Sequence, residues 1–121
     1  MKNYSLSSLE RKKLKTRKKI KELNALRLTV YKTNKHIYAQ VFTPDGSRVI
    51  TSVSTLDKVF KDRVENLIIT KTEKARIIGT LLAEKAKMNN ISQLAFDRSG
   101  FKFHGRIKAL AESVLKNGVK C

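Results

Sequence analysis

The sequence of 121 residues contains one cysteine, ten acidic residues and no long apolar run. The cysteine, Cys121, is the last residue, so it cannot form an internal disulfide, and a terminal thiol is a poor catalytic group. This pattern indicates a reducing compartment. No window approaches the roughly eighteen apolar residues of a membrane-spanning helix, and the basic N-terminus lacks the apolar segment of a secretory signal.

The scarcity of histidines and acids also argues against a metal site or an active site. The two histidines, His36 and His104, lie far apart without a cysteine partner, so zinc-binding spacing is absent. Two-metal nucleases need several converging carboxylates, and only Asp97 follows a predicted strand. Asp97, Ser99 and His104 are close together, but a catalytic triad normally gathers its members from separate parts of the fold. We therefore predict no catalytic residue, no metal and no cofactor, and expect Asp97 to fix its loop.

Positive charge is what the sequence has in excess. There are 27 lysines and arginines, and the formal net charge is +17. Such a chain repels itself unless a polyanion neutralises it. Nucleic acid is the first candidate for that partner, and an anionic membrane surface is the second.

The charge is densest in residues 1–24, which contain nine lysines and arginines and two glutamates. A capping box from Ser7 to Glu10 predicts a helix beginning near Leu9. Its apolar residues form no stripe, so this helix has no face to bury. We therefore expect a basic arm that becomes ordered when it binds an anion. The alternative is a charge run that only aids solubility. The candidate RNA-binding cations of this arm are Arg11, Lys12, Lys13, Lys15, Arg17, Lys18, Lys19 and Lys21.

The remaining residues, 25–121, predict one α/β domain with the order β-β-β-α-α-β-α. Alternation with period two predicts strands at residues 26–31, 36–42 and 48–54, the last with Val49 and Ile50 as its apolar pair. Spacings of three and four predict helices at 56–64, 71–88 and 107–116, the first capped by Ser54 or Thr55. A strand at 91–96 follows a helix, so a parallel partner is expected. Helices would cover the aliphatic face of a mixed sheet.

The loop of residues 97–106 joins the last strand to the last helix. Its glycines permit close backbone approach, and Arg98, Lys102 and Arg106 offer phosphate contacts. Phe101 and Phe103 can each stack on a base or close the core, and we expect one of them to stack and the other to close the core. The polar sheet face with Tyr31 and Tyr38 is a further candidate, and an ordinary solvated face is the alternative.

These segments resemble a known family. The strings that carry the resemblance are Lys35-His36-Ile37-Tyr38-Ala39-Gln40-Val41 and Phe96-Asp97-Arg98-Ser99-Gly100-Phe101-Lys102-Phe103-His104-Gly105-Arg106, followed by Ile107-Lys108-Ala109-Leu110-Ala111. They resemble the large-subunit ribosomal proteins of the L-eighteen type, and the short arm is typical of bacterial or organellar members. Phe103 departs from the pattern, in which tyrosine is expected.

The resemblance implies a structural protein that binds 5S rRNA and helps attach it to 23S rRNA in the central protuberance. It implies a neighbouring 5S-binding ribosomal protein as a partner, no enzymatic activity, and a location in the cytoplasmic or an organellar ribosome, with neither membrane nor small-molecule substrate. The alternatives are a non-specific RNA-binding protein or RNA chaperone, and an RNA or phosphoester hydrolase using Asp97 and His104. Beyond the arm, RNA binding is assigned to Arg27, Tyr31, Lys32, Lys35, His36, Tyr38, Arg98, Lys102, His104 and Arg106.

Overall fold

The computed structural model describes residues 8–121, and the predicted order of elements is confirmed. Ser7 of the expected capping box lies outside this range. The elements are α1 (Ser8–Glu22), β1 (Arg27–Lys32), β2 (Ile37–Phe42), β3 (Val49–Ser54), α2 (Lys58–Arg63), α3 (Lys71–Met88), β4 (Ala95–Asp97) and α4 (Gly105–Lys116).

The four strands form one mixed sheet in the order β3-β2-β1-β4. The first three strands are antiparallel, and β4 lies parallel to β1, with Asp97 opposite Thr29. The predicted parallel partner is therefore confirmed, but β4 is only three residues long. The preceding residues turn to the C-terminal tail instead, because Leu94 N–H donates to the carbonyl of Lys120.

One face of the sheet forms the core. Alternate residues of β1 and β2 are buried there, and α3 and α4 cover them with apolar residues spaced three and four apart, as predicted. Val49 does not join this face: it is 48% exposed, and Val53 is buried in its place. Of the predicted apolar pair, Ile50 packs against the core, whereas a bulge between Val41 and Phe42 sets Val49 opposite Phe42, whose side chain points to the other face.

The helix ends follow local chemistry that the sequence displays. The Thr70 side chain accepts a hydrogen bond from Glu73 N–H at 3.2 Å and caps α3. Gly118, with φ +93°, follows the end of α4. The predicted cap of α2 is wrong, because α2 begins at Lys58 and Thr55 is buried, where its hydroxyl accepts from Ile37 N–H.

The short helix α2 contributes little to the core. Phe60 is its buried residue, whereas Leu56 and Val59 remain about half exposed. A helix of six residues makes fewer than two turns, so few of its positions can face the core and the others stay in contact with solvent.

Candidate nucleic-acid interface

The basic segment forms the helix α1, and its exposed side carries most of the predicted cations. Arg11, Lys12, Lys15, Lys18 and Lys19 are exposed, and Lys13 and Arg17 are partly buried; the side chain of Lys21 lies outside the description. The expectation that this helix has no face to bury is wrong at its C-terminal end. Ile20 is 5% exposed there, and Arg17 is bonded to the domain.

Asp97 is the residue to which α1 is bonded. Its carboxylate accepts from Arg17 Nε at 2.8 Å and from the Thr29 hydroxyl at 3.4 Å. It also accepts from Ser99 N–H at 2.9 Å, across a turn in which Ser99 has φ +54°. The expectation that Asp97 fixes its loop is confirmed, and the same carboxylate joins the loop to the arm.

Arg27, a predicted RNA-binding residue, lies largely inside the fold. Its side chain is 13% exposed and its guanidinium stands 4.8 Å from the centre of the Phe42 ring. Its Nε is 4.0 Å from Asp97 and has no hydrogen-bond partner within residues 8–121. Burial lowers the pKa of Arg27, the positive charge of Arg17 lowers it further, and Asp97 opposes both effects. This cation therefore balances the buried carboxylate.

A basic cleft lies where α3 and α4 begin. It has a volume of about 550 Å³ and carries four cations. Its lining residues are Lys32, Lys71, Thr72, Phe101, Lys102, His104, Gly105 and Arg106. No carboxylate lines it, and the N-terminal amides of two helices add positive potential. The cleft can therefore hold an anion such as a phosphate group.

Hydrogen bonds fix the walls of this basic cleft. Arg106 Nη1 donates to the carbonyl of Thr33 at 2.8 Å, and Lys71 Nζ donates to Asn34 Oδ1 at 3.2 Å. Both bonds hold the β1–β2 turn against the helix starts, which places Lys32 beside the loop of residues 97–106. Lys102 is exposed at the rim.

An aromatic cluster adjoins the cleft on the polar face of the sheet. The ring of Tyr31 is 5.7 Å from Phe101 and 6.2 Å from Tyr38, which in turn lies 6.5 Å from His36. The His36 ring is held by a 2.9 Å hydrogen bond between Nδ1 and the Thr55 hydroxyl. Tyr31 is half exposed, so its ring can meet a base or a ribose.

The two phenylalanines of the loop differ in burial, and stacking of either one on a base stays a prediction. Phe101 is partly buried against the core, and Phe103 is half exposed, 6.1 Å from Phe96. Of the other predicted residues, Lys35, Arg98 and His104 are exposed. Sequence reasoning did not include Lys71 and Thr72 in the site. The signal was present, because the cap at Thr70 marks a helix N-terminus, where amides and nearby cations attract anions.

The structure of residues 8–121 also bears on metal binding, membrane spanning and catalysis. No group of His, Cys, Asp and Glu side chains there could hold a metal ion, and none of the described helices is long and apolar enough to cross a membrane. The Asp97 carboxylate is occupied by Arg17, Thr29 and the Ser99 backbone, while His104 lies at the start of α4. This arrangement provides no nucleophile with an adjacent base.

Comparison with known proteins identifies the family. Residues 4–121 match the family described as ribosomal L18 of archaea, bacteria, mitochondria and chloroplasts. The chain is 47% identical over 110 residues to large ribosomal subunit protein uL18 of Ectopseudomonas mendocina. The corresponding proteins of Pseudomonas entomophila and Azotobacter vinelandii are 48% and 46% identical over the same length. In each case the match covers 91% of both chains.

These matches confirm the resemblance predicted from the sequence, the absence of enzymatic function and the assignment to a bacterial-type cytoplasmic ribosome. The chain therefore belongs to the ribosomal L18 family and is a structural constituent of the large ribosomal subunit.

Proposed function

We propose that the chain binds 5S rRNA and helps attach it to 23S rRNA in the central protuberance. The choice of these RNAs, and of a neighbouring 5S-binding ribosomal protein as a further partner, follows from the family resemblance. The observation that carries RNA binding at a defined place is the basic cleft, where four cations and two helix N-termini converge without a lining carboxylate.

In this proposal the cleft and the arm have different tasks. The cleft holds backbone phosphates in one position, because two of its four cations, Lys71 and Arg106, are hydrogen-bonded to the β1–β2 turn. The aromatic cluster beside it meets an exposed base or ribose. The exposed cations of α1 supply affinity with little sequence choice, since each phosphate contact releases counterions.

The first experiment tests the cleft by measuring 5S rRNA affinity at several salt concentrations for Lys102→Gln and a matched control. Lys58→Gln removes the same charge from an exposed position on α2 that does not line the cleft. We expect Lys102→Gln to weaken binding and to reduce the log–log salt slope by about 0.7–0.9. Lys58→Gln should leave both close to wild type. Equal effects of the two variants would contradict a localised site.

The second experiment tests the arm and the choice of RNA. A chain lacking residues 1–24 should bind 5S rRNA more weakly and with a flatter salt slope, because it has lost nine lysines and arginines. Competition between 5S rRNA and tRNA at moderate salt should favour 5S rRNA. Equal competition would support the RNA chaperone, and unchanged affinity of the truncated chain would remove the arm from the proposal.

A further inference from the structure

Asp97 occupies the junction of three parts of the molecule. It is 1% exposed and is the only buried acidic side chain within residues 8–121. Its partners come from α1 through Arg17, from β1 through Thr29 and Arg27, and from the loop through Ser99. A buried carboxylate is tolerated only when hydrogen bonds and opposite charges compensate its lost hydration.

The attachment of α1 depends heavily on this carboxylate. The helix consists mostly of cations that repel one another, and Ile20 is its buried apolar residue. Among the side chains of α1 that the structure describes, one buried apolar residue is a weak anchor for a helix of fifteen residues. The Arg17–Asp97 bond at 2.8 Å is charge-assisted, and its carboxylate is buried, so it is stronger than an ion pair exposed on both sides.

We propose that Asp97 is a positioning residue for RNA binding: it fastens α1 to the domain so that the arm and the loop of residues 97–106 form one prepared surface. This inference rests on the proposed rRNA binding. The two oxygens of the carboxylate bind different parts of the chain: Oδ2 accepts from Arg17 on α1, and Oδ1 accepts from the Ser99 amide in the loop. An arm released from Asp97 must be ordered again on each binding event, which lowers the observed affinity.

The substitution Asp97→Asn separates positioning from simple electrostatics, because the two predict opposite signs. The variant gains one unit of net positive charge. Charge alone therefore predicts tighter binding to RNA. Positioning predicts weaker binding, since asparagine still accepts a hydrogen bond from Ser99 N–H but no longer attracts the Arg17 guanidinium as an anion.

The experiment compares 5S rRNA affinity, at one salt concentration, for wild type, Asp97→Asn, Arg17→Gln, the double variant and Lys18→Gln. Lys18 is an exposed neighbour on α1, so its substitution removes the same charge as Arg17→Gln. We expect Asp97→Asn to bind about ten-fold more weakly than wild type, the loss that follows when the docked arm falls to about a tenth of the population. Arg17→Gln should bind more weakly than Lys18→Gln, and the double variant no more weakly than Arg17→Gln alone.

Hydrogen exchange of the free protein provides a readout that does not depend on RNA. Amides of α1 should lose protection in Asp97→Asn and Arg17→Gln but not in Lys18→Gln, while α3 keeps its protection in all three. If Asp97→Asn and Arg17→Gln reduced the exchange protection of α1 and α3 equally, the cause would be general destabilisation, and the inference would be overturned. Wild-type or tighter RNA binding by Asp97→Asn would overturn it too. If wild type fails to prefer 5S rRNA over tRNA, the proposed function fails, and the exchange pattern still decides whether Asp97 fastens the arm.

Discussion

The contact between α3 and α4 yields a quantitative prediction at Gly79. This residue is buried in the middle of α3, where glycine is otherwise unfavourable. A Cβ atom placed on it would lie 2.6 Å from the carbonyl oxygen of Leu110 and 2.8 Å from Ser113 Cβ, whereas ordinary contacts are 3.4–4 Å. The first of these neighbours is backbone, so it cannot swing aside as the end of a flexible side chain could.

The substitution Gly79→Ala must therefore move α4 away from α3 by a large fraction of an ångström. That movement loosens the packing around Ile78, Leu82 and Leu110, which are fully buried. Overpacking of this kind costs about 1–3 kcal/mol, and the higher helix propensity of alanine returns up to about 1 kcal/mol. We expect a net loss of about 1–2 kcal/mol, or a fall in Tm of about 4–8 °C for a domain of this size.

Thermal and urea unfolding followed by circular dichroism would measure this loss. Arg76→Ala is the matched control, because it also introduces alanine into α3 but at an exposed side chain. The control should stay within about 0.5 kcal/mol of wild type. A Gly79→Ala protein as stable as wild type, or more stable, would refute the reasoning and show that the two helices can separate freely.

Three further predictions concern separate parts of the chain. Thr70→Ala should lower the free energy of unfolding by about 1 kcal/mol because α3 loses its cap, and Thr70→Asn should recover most of it in urea titrations; equal losses would contradict the cap. Hydrogen bonds from the turn lower the pKa of Asp45 to about 2. The ionised carboxylate therefore stabilises the folded state at pH values above its unfolded pKa of about 3.9, and this stabilisation is lost as the pH falls towards about 2. The stability difference between wild type and Asp45→Ala should accordingly shrink from pH 6 towards pH 2 in urea unfolding, and a constant difference would exclude this origin. Arg106→Gln should reduce the salt slope of rRNA binding by about 0.7–0.9, whereas Arg106→Lys, which keeps the charge, should preserve it; identical slopes for the two variants would place Arg106 outside the phosphate contacts.

Much of the fold could be predicted because its signals are local. The alternation of apolar and polar residues is sufficient to predict β1 and β2, whose alternate residues are buried on one face. The helix α3 has apolar spacings over 18 residues and a visible cap, so both its bounds were predicted correctly. The parallel placement of β4 followed from a strand coming after a helix. In each case the signal is a pattern among neighbouring residues, even where, as for β4, the pairing itself joins distant parts of the chain.

The features that the sequence did not show arise where distant residues decide. Val49 faces outward because of a bulge in its pairing with β2, which no local pattern displays. Arg17 and Asp97 are 80 residues apart, so the sequence presents one as an arm cation and the other as a loop acid. Arg27 reads as a polar surface residue, and only the fold shows that it is buried beside Phe42. The candidate site was accordingly predictable in its loop and arm, but not in how the two are joined.

The placement of the few acids explains how so basic a chain keeps a defined fold. Three aspartates each accept a hydrogen bond from a backbone amide where the chain changes direction: Asp45 from Ser47, Asp57 from Ser54 and Asp97 from Ser99. A carboxylate accepts such bonds more strongly than a neutral side chain does. Each of these acids therefore fixes a turn, and Asp97 in addition balances the charges of Arg27, which lies largely inside the fold, and of Arg17 on the arm. Because none of the three lines the basic cleft, the fold gains its turns without weakening the surface proposed to bind RNA.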